Sequence, residues 1–575
     1  MIETRRTRTG TDAAPSEITA NAAEFAAVAT DSRTVAVWTL FSRITGFGRL
    51  AAVAAVLGPT YFGNLFQIAN HLPNIIHELM AGALMSALLV PPLVRHVASR
   101  DVAAVQRLAN GFLGVVVLLF SLVLFLGVLG APLLVGLLTI GVSDIAVRAE
   151  QYRLGWPLLA MLLPQILLYG IAATGVAVQH AHRRFALAAA APALENVGVI
   201  AVLFTFAVLF GVGMPIDRVT TVQVLLLGLG STGAVVLHAS AQWWGAYRLG
   251  VTLWPWAGWR DPEVWRIIRL AIPSSGYAVL ESLSFLGLMV VAGSVPGGAI
   301  AFHVGYTFFN LPIALCGRPL SAAQLPRLAQ SFQQGNLEAF HATYRSSLAL
   351  GLFVALPAGF LFLSMPEVLA RAVSFGEMAT GTGVALVAAT IGSLGPGIVG
   401  ESAFLVATSA CYARRDAVSP LRAMVLRATI ALAGMAVALS AMEGAAVLVT
   451  LGLAVSAGAL VAAVYLHRCQ LLALPPLPGR RGWPLADLAV AAVAVAPGVL
   501  LAAWLDGIVK HSYHALSAGL FAVAVSGLIY LAVQWLRGSP ELGALFGALA
   551  APRPNADAAG TVRPRPAPLG AEPYQ

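Results

Sequence analysis

The chain has 575 residues, of which 59% are hydrophobic and 10% charged, with a formal net charge of +9. A soluble domain averages roughly 25% charged residues, so this composition excludes a soluble enzyme with one anchor and predicts an all-α, polytopic membrane protein. The basic charge is almost all arginine, Lys510 being the only lysine. The widely spaced Cys316, Cys411 and Cys469 read as small core residues rather than a disulfide framework or metal site.

Residues 1–33 are polar, lack the apolar run of a signal peptide and are expected to form a disordered cytoplasmic tail. A spanning helix needs roughly 20 mostly apolar residues. Fourteen such segments follow, centred near residues 46, 80, 120, 165, 197, 232, 280, 311, 355, 395, 430, 455, 495 and 525. Residues 34–250 would give six to an N-terminal lobe and 251–475 six to a C-terminal lobe. Residues 476–537 would add two more, and the Pro- and Ala-rich 538–575 a second tail. A repeat supports the two pseudo-symmetric lobes: the second span carries Asn70-His71-Leu72-Pro73 and the eighth carries Asn310-Leu311-Pro312. An even count puts both tails on one side. That side collects Arg95, Arg100, Arg107, Arg183, Arg184, Arg260, Arg266, Arg269, Arg414 and Arg415, whereas the other receives only Arg148, Arg153, Arg218, Arg371 and Lys510. Arginine excess marks the cytoplasm, so both termini are predicted there.

Several spans carry groups that belong in water. The first two hold Arg43, Arg49, His71, His77 and Glu78, and a charge at the bilayer centre costs roughly 2.5–3.5 kcal/mol on insertion scales. Arg43 and Arg49, about two helical turns apart, are expected to face a polar cavity, with snorkelling to a helix end as the alternative. His71, His77 and Glu78 have the types of metal ligands but lack a fourth, and a cavity lining is expected. Glu281, mid-span in YAVLESLSF, is a candidate for binding a coupling cation or relaying a proton, or for pairing with Arg43 or Arg49. Glu195 is expected to hydrogen-bond a neighbouring helix. Trp243, Trp244, Trp254, Trp256, Trp259 and Trp265 flank one loop and read as an interfacial aromatic belt. There is no phosphate-binding glycine loop, nucleophile elbow or zinc motif. No enzyme chemistry, no cofactor and no direct use of ATP are therefore expected. The tails hold no nucleic-acid motif, and their arginines are expected to meet anionic membrane lipids.

Four blocks resemble the MurJ/MviN lipid II flippases of the multidrug/oligosaccharidyl-lipid/polysaccharide exporter superfamily. They are Ser42-Arg43-Ile44-Thr45-Gly46-Phe47-Gly48-Arg49; Leu72-Pro73-Asn74 with Ser86 and Val90-Pro91; Arg184-Phe185 with Pro192 and Asn196; and Tyr412, Arg414, Asp416 and Pro420. The resemblance implies fourteen helices in a two-lobed fold in the cytoplasmic membrane, which carries a polyprenyl-diphosphate peptidoglycan precursor by alternating access. It implies a coupling cation, Na+ or H+, or the membrane potential as driving force, and cell-wall synthesis proteins as partners. Cavity arginines would hold the diphosphate through charge-assisted hydrogen bonds. The chain departs from the family pattern at several positions. The acidic residue after the second arginine is Leu50, that of the DAF segment is Asn64, and that of the AEG segment is Gly82. The arginine after LPN is His77, and the cavity arginine of the eighth helix is Thr307. Either Arg318, further along the eighth span, replaces that charge, or it is interfacial and the substrate differs. The sodium-binding groups of some members lie on the seventh and eleventh helices, and the eleventh span here offers no acidic one. Two alternatives stand beside lipid II transport: export of another lipid-linked glycan or of small organic cations, and a transport-inactive cell-wall scaffold.

Overall fold

The computed structural model describes residues 14–79, 89–256, 258–473 and 512–543, with scattered positions between 490 and 504. These residues contain no β-strand. Helices α1 (Ala14–Leu57), α2 (Tyr61–Leu79), α3 (Val90–Ala98), α4 (Val102–Leu129), α5 (Ala131–Leu138), α6 (Ile145–Leu162), α7 (Gln165–Ala181), α8 (Phe185–Phe210) and α9 (Thr221–Tyr247) make the first half. The second half has α10 (Pro262–Ala292), α11 (Gly298–Pro312), α12 (Arg318–Gln333), α13 (Leu337–Ser364), α14 (Pro366–Val373), α15 (Gly381–Ala413), α16 (Val418–Ala441) and α17 (Ala445–Ala473), and α18 (Ser512–Leu536) follows.

Among the described residues, ten helical segments are long and apolar enough to cross a membrane, and Gly276–Ala292 and Phe521–Leu536 are shorter apolar helices. Together they coincide with twelve of the expected spans. The second and thirteenth expected spans run into residues outside those described. The first tail differs from expectation, because helix extends from the first span back to Ala14. The stretch is rich in alanine, the strongest helix former.

Within the first half, α8 packs on α1 and α9, and α7 on α4 and α9; within the second, α15 is central, against α11, α13 and α17. Small residues allow this closeness. A Cβ placed on Gly400 of α15 would stand 2.6 Å from the Leu460 backbone nitrogen of α17. Helix α10 belongs to both halves. Its Val264 and Ile267 join Val105, Leu108 and Phe112 of α4 in one apolar cluster, while Glu263 bonds Arg95 and His96 at 3.1 and 3.2 Å. Its later turns pack on α16.

The ends of the helices carry a regular device. Six helix ends on the arginine-rich side close in the same way, with the second residue past the cap donating its N–H back to a carbonyl five residues earlier. The pairs are Asp101–His96, Arg184–Gln179, Val251–Ala246, Asn336–Ser331, Asp416–Cys411 and Ser539–Gln534, all between 2.8 and 3.1 Å. The turn needs a left-handed residue. Gly250, Gly335 and Gly538 supply it at three ends, and Arg100, Arg183 and Arg415 at the others, with φ of 56°, 57° and 62°. Asp416 then accepts the N–H groups of Val418 and Ser419 at 3.1 and 3.0 Å. Partial burial acts to raise its pKa, but the Ser419 and Val418 bonds and the Arg414 charge outweigh it and hold the carboxyl below its ordinary value.

At the opposite side the halves are joined. Asn64 of α2 donates through Nδ2 to the carbonyls of Gly293 and Val295 at 3.1 and 2.6 Å and accepts the Ala299 N–H at 3.0 Å. Gly297 donates its N–H to the Thr60 carbonyl at 3.2 Å. A side chain at Gly297 would collide with Pro59, whose Cα lies 2.2 Å from the Cβ position, and its φ is +75°.

Candidate functional site

Helix α1 presents the two arginines in different directions. They are six positions apart, and at roughly 100° per residue that is about 240° around the helix. Arg43 is exposed and has no hydrogen bond or ion pair among the described residues. It lies one turn before Phe47, whose ring meets Phe308 of α11 edge-on at 5.5 Å. Arg43 thus sits on the face turned toward the second half. Arg49 points into the first half, where Nη1 donates to Glu195 Oε1 of α8 at 2.9 Å. Helical phase thus turns the two arginines, both expected to face a polar cavity, in different directions.

Glu195 is the centre of a network. Its Oε1 also accepts the Tyr169 hydroxyl of α7 at 3.1 Å, and its Oε2 faces His238 Nδ1 of α9 at 3.0 Å. Tyr169 also reaches Asn74 Oδ1 of α2 at 3.0 Å. The neighbouring Asn196 bonds the Ser42 carbonyl and Thr45 Oγ1, both at 3.2 Å, which fixes α8 to α1. The sequence expectation of a helix-to-helix hydrogen bond for Glu195 understated its role, because tertiary packing brings α1, α7 and α9 to one carboxylate.

The second half has its own ionic cluster. Arg427 Nη2 of α16 lies 2.8 Å from Glu401 Oε2 of α15, and Nη1 donates to Oε1 at 3.2 Å. The side chains are 11% and 10% exposed. The guanidinium also lies 4.9 Å from the Phe404 ring centre, a cation–π contact. Beside it a cleft of about 420 Å³, open to solvent, is lined by Glu281, Ser284, Phe285, Tyr306 and Arg427. Glu281 has no hydrogen bond or ion pair among the described residues. It does not pair with Arg43 or Arg49, one of its expected roles, because it lies on the second-half side of α10. Sequence reading missed Glu401 and Arg427, although a signal existed. The arginine-terminated hairpins α7–α8 and α15–α16 align with Arg183 opposite Arg415, 232 positions apart. The same step carries Tyr169 to Glu401 and Glu195 to Arg427. One of these two places thus holds a carboxylate in the first half and a guanidinium in the second.

The remaining candidates are scattered. Asn64 is 1% exposed and spends its whole amide on backbone groups, so it is a clasp between the halves and not a cavity residue. Thr307 returns its hydroxyl to the His303 carbonyl of its own helix at 2.8 Å, as a hydroxyl in an apolar helix commonly does. Arg318 is exposed and reaches Asn310 Oδ1, eight residues and about two turns back on the same span, at 3.4 Å. His71 is buried, its ring edge-on to Phe285 and His303 at 5.1 and 5.8 Å, and Gln67 bonds His303 Nδ1 at 2.7 Å. His77 and Glu78 lie on α2, with side chains outside the described set. Among the described residues no group of metal-ligating side chains could hold an ion. Trp254 and Trp256 are 71% and 70% exposed, on the loop before α10.

A family profile described as lipid II flippase MurJ matches residues 53–523. The chain belongs to that family. It is 25% identical over 385 residues to a probable lipid II flippase MurJ of Rhizobium tropici, covering 67% of this chain and 70% of the relative. It is 26% identical over 399 residues to the Vibrio cholerae protein of the same description, covering 68% and 73%. A solved lipid II flippase MurJ in an inward closed conformation superposes with a TM-score of 0.69 at 15% identity, over 90% of this chain and 99% of that one. An inward-facing multidrug resistance MATE transporter of the MOP superfamily gives 0.59 at 16% identity, over 76% and 95%. At such identities the superpositions establish the fold, a multi-pass helical transporter fold.

Proposed function

We propose that this chain moves lipid II, a polyprenyl-diphosphate-linked peptidoglycan precursor, across the inner membrane, with both termini in the cytoplasm. It does so without making or breaking a covalent bond. The observation that carries this is Arg43, an unpaired cation on the α1 face that meets the second half, in a chain of this family. A diphosphate cannot enter hydrocarbon unaided, and a guanidinium offers it a fork of N–H donors. The clasp at Asn64 closes the far side, so the headgroup would enter from the arginine-rich side. Rocking of the halves about α10 would then expose it to the other.

Glu281, facing the second-half cleft, is proposed as the group that takes a coupling cation or proton, with the membrane potential as the other driving force. Cell-wall synthesis proteins are proposed as partners. The test is growth of a conditional lipid II flippase mutant supplied with this chain. Wild type should restore growth, and Arg43→Ala should fail while remaining in the membrane at normal levels. Failure of well-inserted wild type would point instead to export of another lipid-linked glycan.

A further inference from the structure

We propose that His71 and His303 form a proton-sensitive latch between the two halves. The pair is packed and uncharged in the state seen here, and uptake of a proton from water releases α2 from α10 and α11. The latch depends on neither the substrate nor the coupling group named above.

The contact is built from both halves. His71 of α2 is 8% exposed, and its ring meets Phe285 of α10 and His303 of α11 edge-on at 5.1 and 5.8 Å. Phe285 is also edge-on to His303, at 5.6 Å, so the three rings close a triangle. One turn before His71 on the same face of α2, Gln67 Nε2 lies 2.7 Å from His303 Nδ1. An amide nitrogen only donates, so Nδ1 receives this bond on its lone pair and the His303 proton sits on Nε2. His71 has no hydrogen bond or ion pair among the described residues. The triangle lies about two turns along α2 from the Asn64 clasp.

No anion is placed to hold an imidazolium there. The charged side chain that acts on both rings is Arg49 of α1, a cation. Arg43, the second cation of α1, lies about two turns nearer the arginine-rich side. Glu195 of α8 pairs with Arg49, and Tyr169 of α7 bonds Glu195. Glu281 of α10 and Tyr306 of α11 line the second-half cleft, as does Arg427 of α16, which pairs with Glu401 of α15. Helix α5 has no titratable residue, and those of α6 precede Gly155, which faces Leu65, nearly two turns before His71 on α2. Those of α13 and α17 cluster at the arginine-rich end, where Tyr344 meets His467.

A proton on either ring is therefore an unpaired charge in an apolar contact, which is strongly disfavoured. On His303 Nδ1 it also sets donor against donor until the Gln67 amide turns. Once the halves part, water reaches the rings, and a hydrated histidine takes a proton near pH ~6.5. The packed state excludes a proton that the open state binds. The packed state is thus favoured at higher pH and loses ground as pH falls through that range, by up to about tenfold per pH unit for each proton taken up.

The experiment places spin labels at Val212 and Met442, exposed residues following α8 and α16, in the full-length protein in lipid nanodiscs. Their distance distribution is measured without substrate between about pH 5 and pH 8, on both sides of the histidine range. The long-distance population should grow as pH falls. His71→Gln with His303→Gln, which keeps polar side chains that take no proton, should remove that dependence. A flat wild-type profile would overturn the latch, and so would a double variant with the wild-type slope. Should that variant not fold, His71→Phe with His303→Gln, which restores an aromatic contact to Phe285 and keeps a partner for Gln67, takes its place with the same two outcomes.

Discussion

A buried ionic group must be paired, and its partner then becomes indispensable. Arg427 and Glu401 show this in the second half, both largely enclosed and 2.8 Å apart. Removing one partner of a buried pair costs about 3–5 kcal/mol, because the other charge stays behind, whereas replacing both with neutral groups can be nearly harmless. Arg427→Met should therefore markedly lower the unfolding temperature of the purified protein, and adding Glu401→Gln should restore most of it. A double variant as unstable as the single one would show that Arg427 stabilises through Phe404 packing instead of charge. Asn64 makes the same point with neutral groups, since three backbone partners depend on one amide.

The helical hairpins carry a conflict between two requirements. Their closing turn wants a left-handed residue, which glycine supplies without strain. Membrane orientation wants arginine at that same end. At Arg100, Arg183 and Arg415 an arginine stands where glycine would fit, and the backbone bears the strain. A left-handed residue with a side chain costs roughly 1–2 kcal/mol. Arg415→Gly is expected to stabilise the purified protein by about 1 kcal/mol, read from thermal unfolding, and Arg415→Val to destabilise it. A Gly variant with unchanged or lower stability would mean that the Arg415 side chain makes a compensating contact. The shared turn also sets the register of α7–α8 against α15–α16, which places Glu195 and Arg427 at equivalent points.

For the whole molecule, the far side of the state seen here is closed by one set of contacts between the halves. Asn64, Thr60 and the α10–α11 turn bind the halves there. Asn64→Ala leaves backbone groups unpaired, at about 1–3 kcal/mol, and should shift the population toward an open far side. Spin labels at Val212 and Met442, exposed residues following α8 and α16, should then report a longer distance than in wild type. An unchanged distance distribution would assign the clasp to folding rather than to opening. Orientation is tested separately. Reporter fusions at Arg100, Arg260 and Arg415 should register the cytoplasm, and those at Ser143 and Lys510 the outside. One reversed site would break the alternation on which the arginine count rests.

Sequence by itself determined the class, the positions of the apolar helices and the family blocks. Those properties are local: hydropathy over about 20 residues fixes a span, and short motifs need no knowledge of their neighbours. It also placed unusual polar residues at Arg43, Arg49, Glu195 and Glu281 within apolar segments. Only the tertiary structure decided their fates. Arg43 faces the other half unpaired, Arg49 is locked to a carboxylate 146 positions away, and Glu281 opens into a separate cleft. The reason is that a charged group in an apolar medium is governed by what lies within a few ångströms. The nearest groups come from helices distant in the chain, and their rotation about their own axes is set by packing that no local window contains.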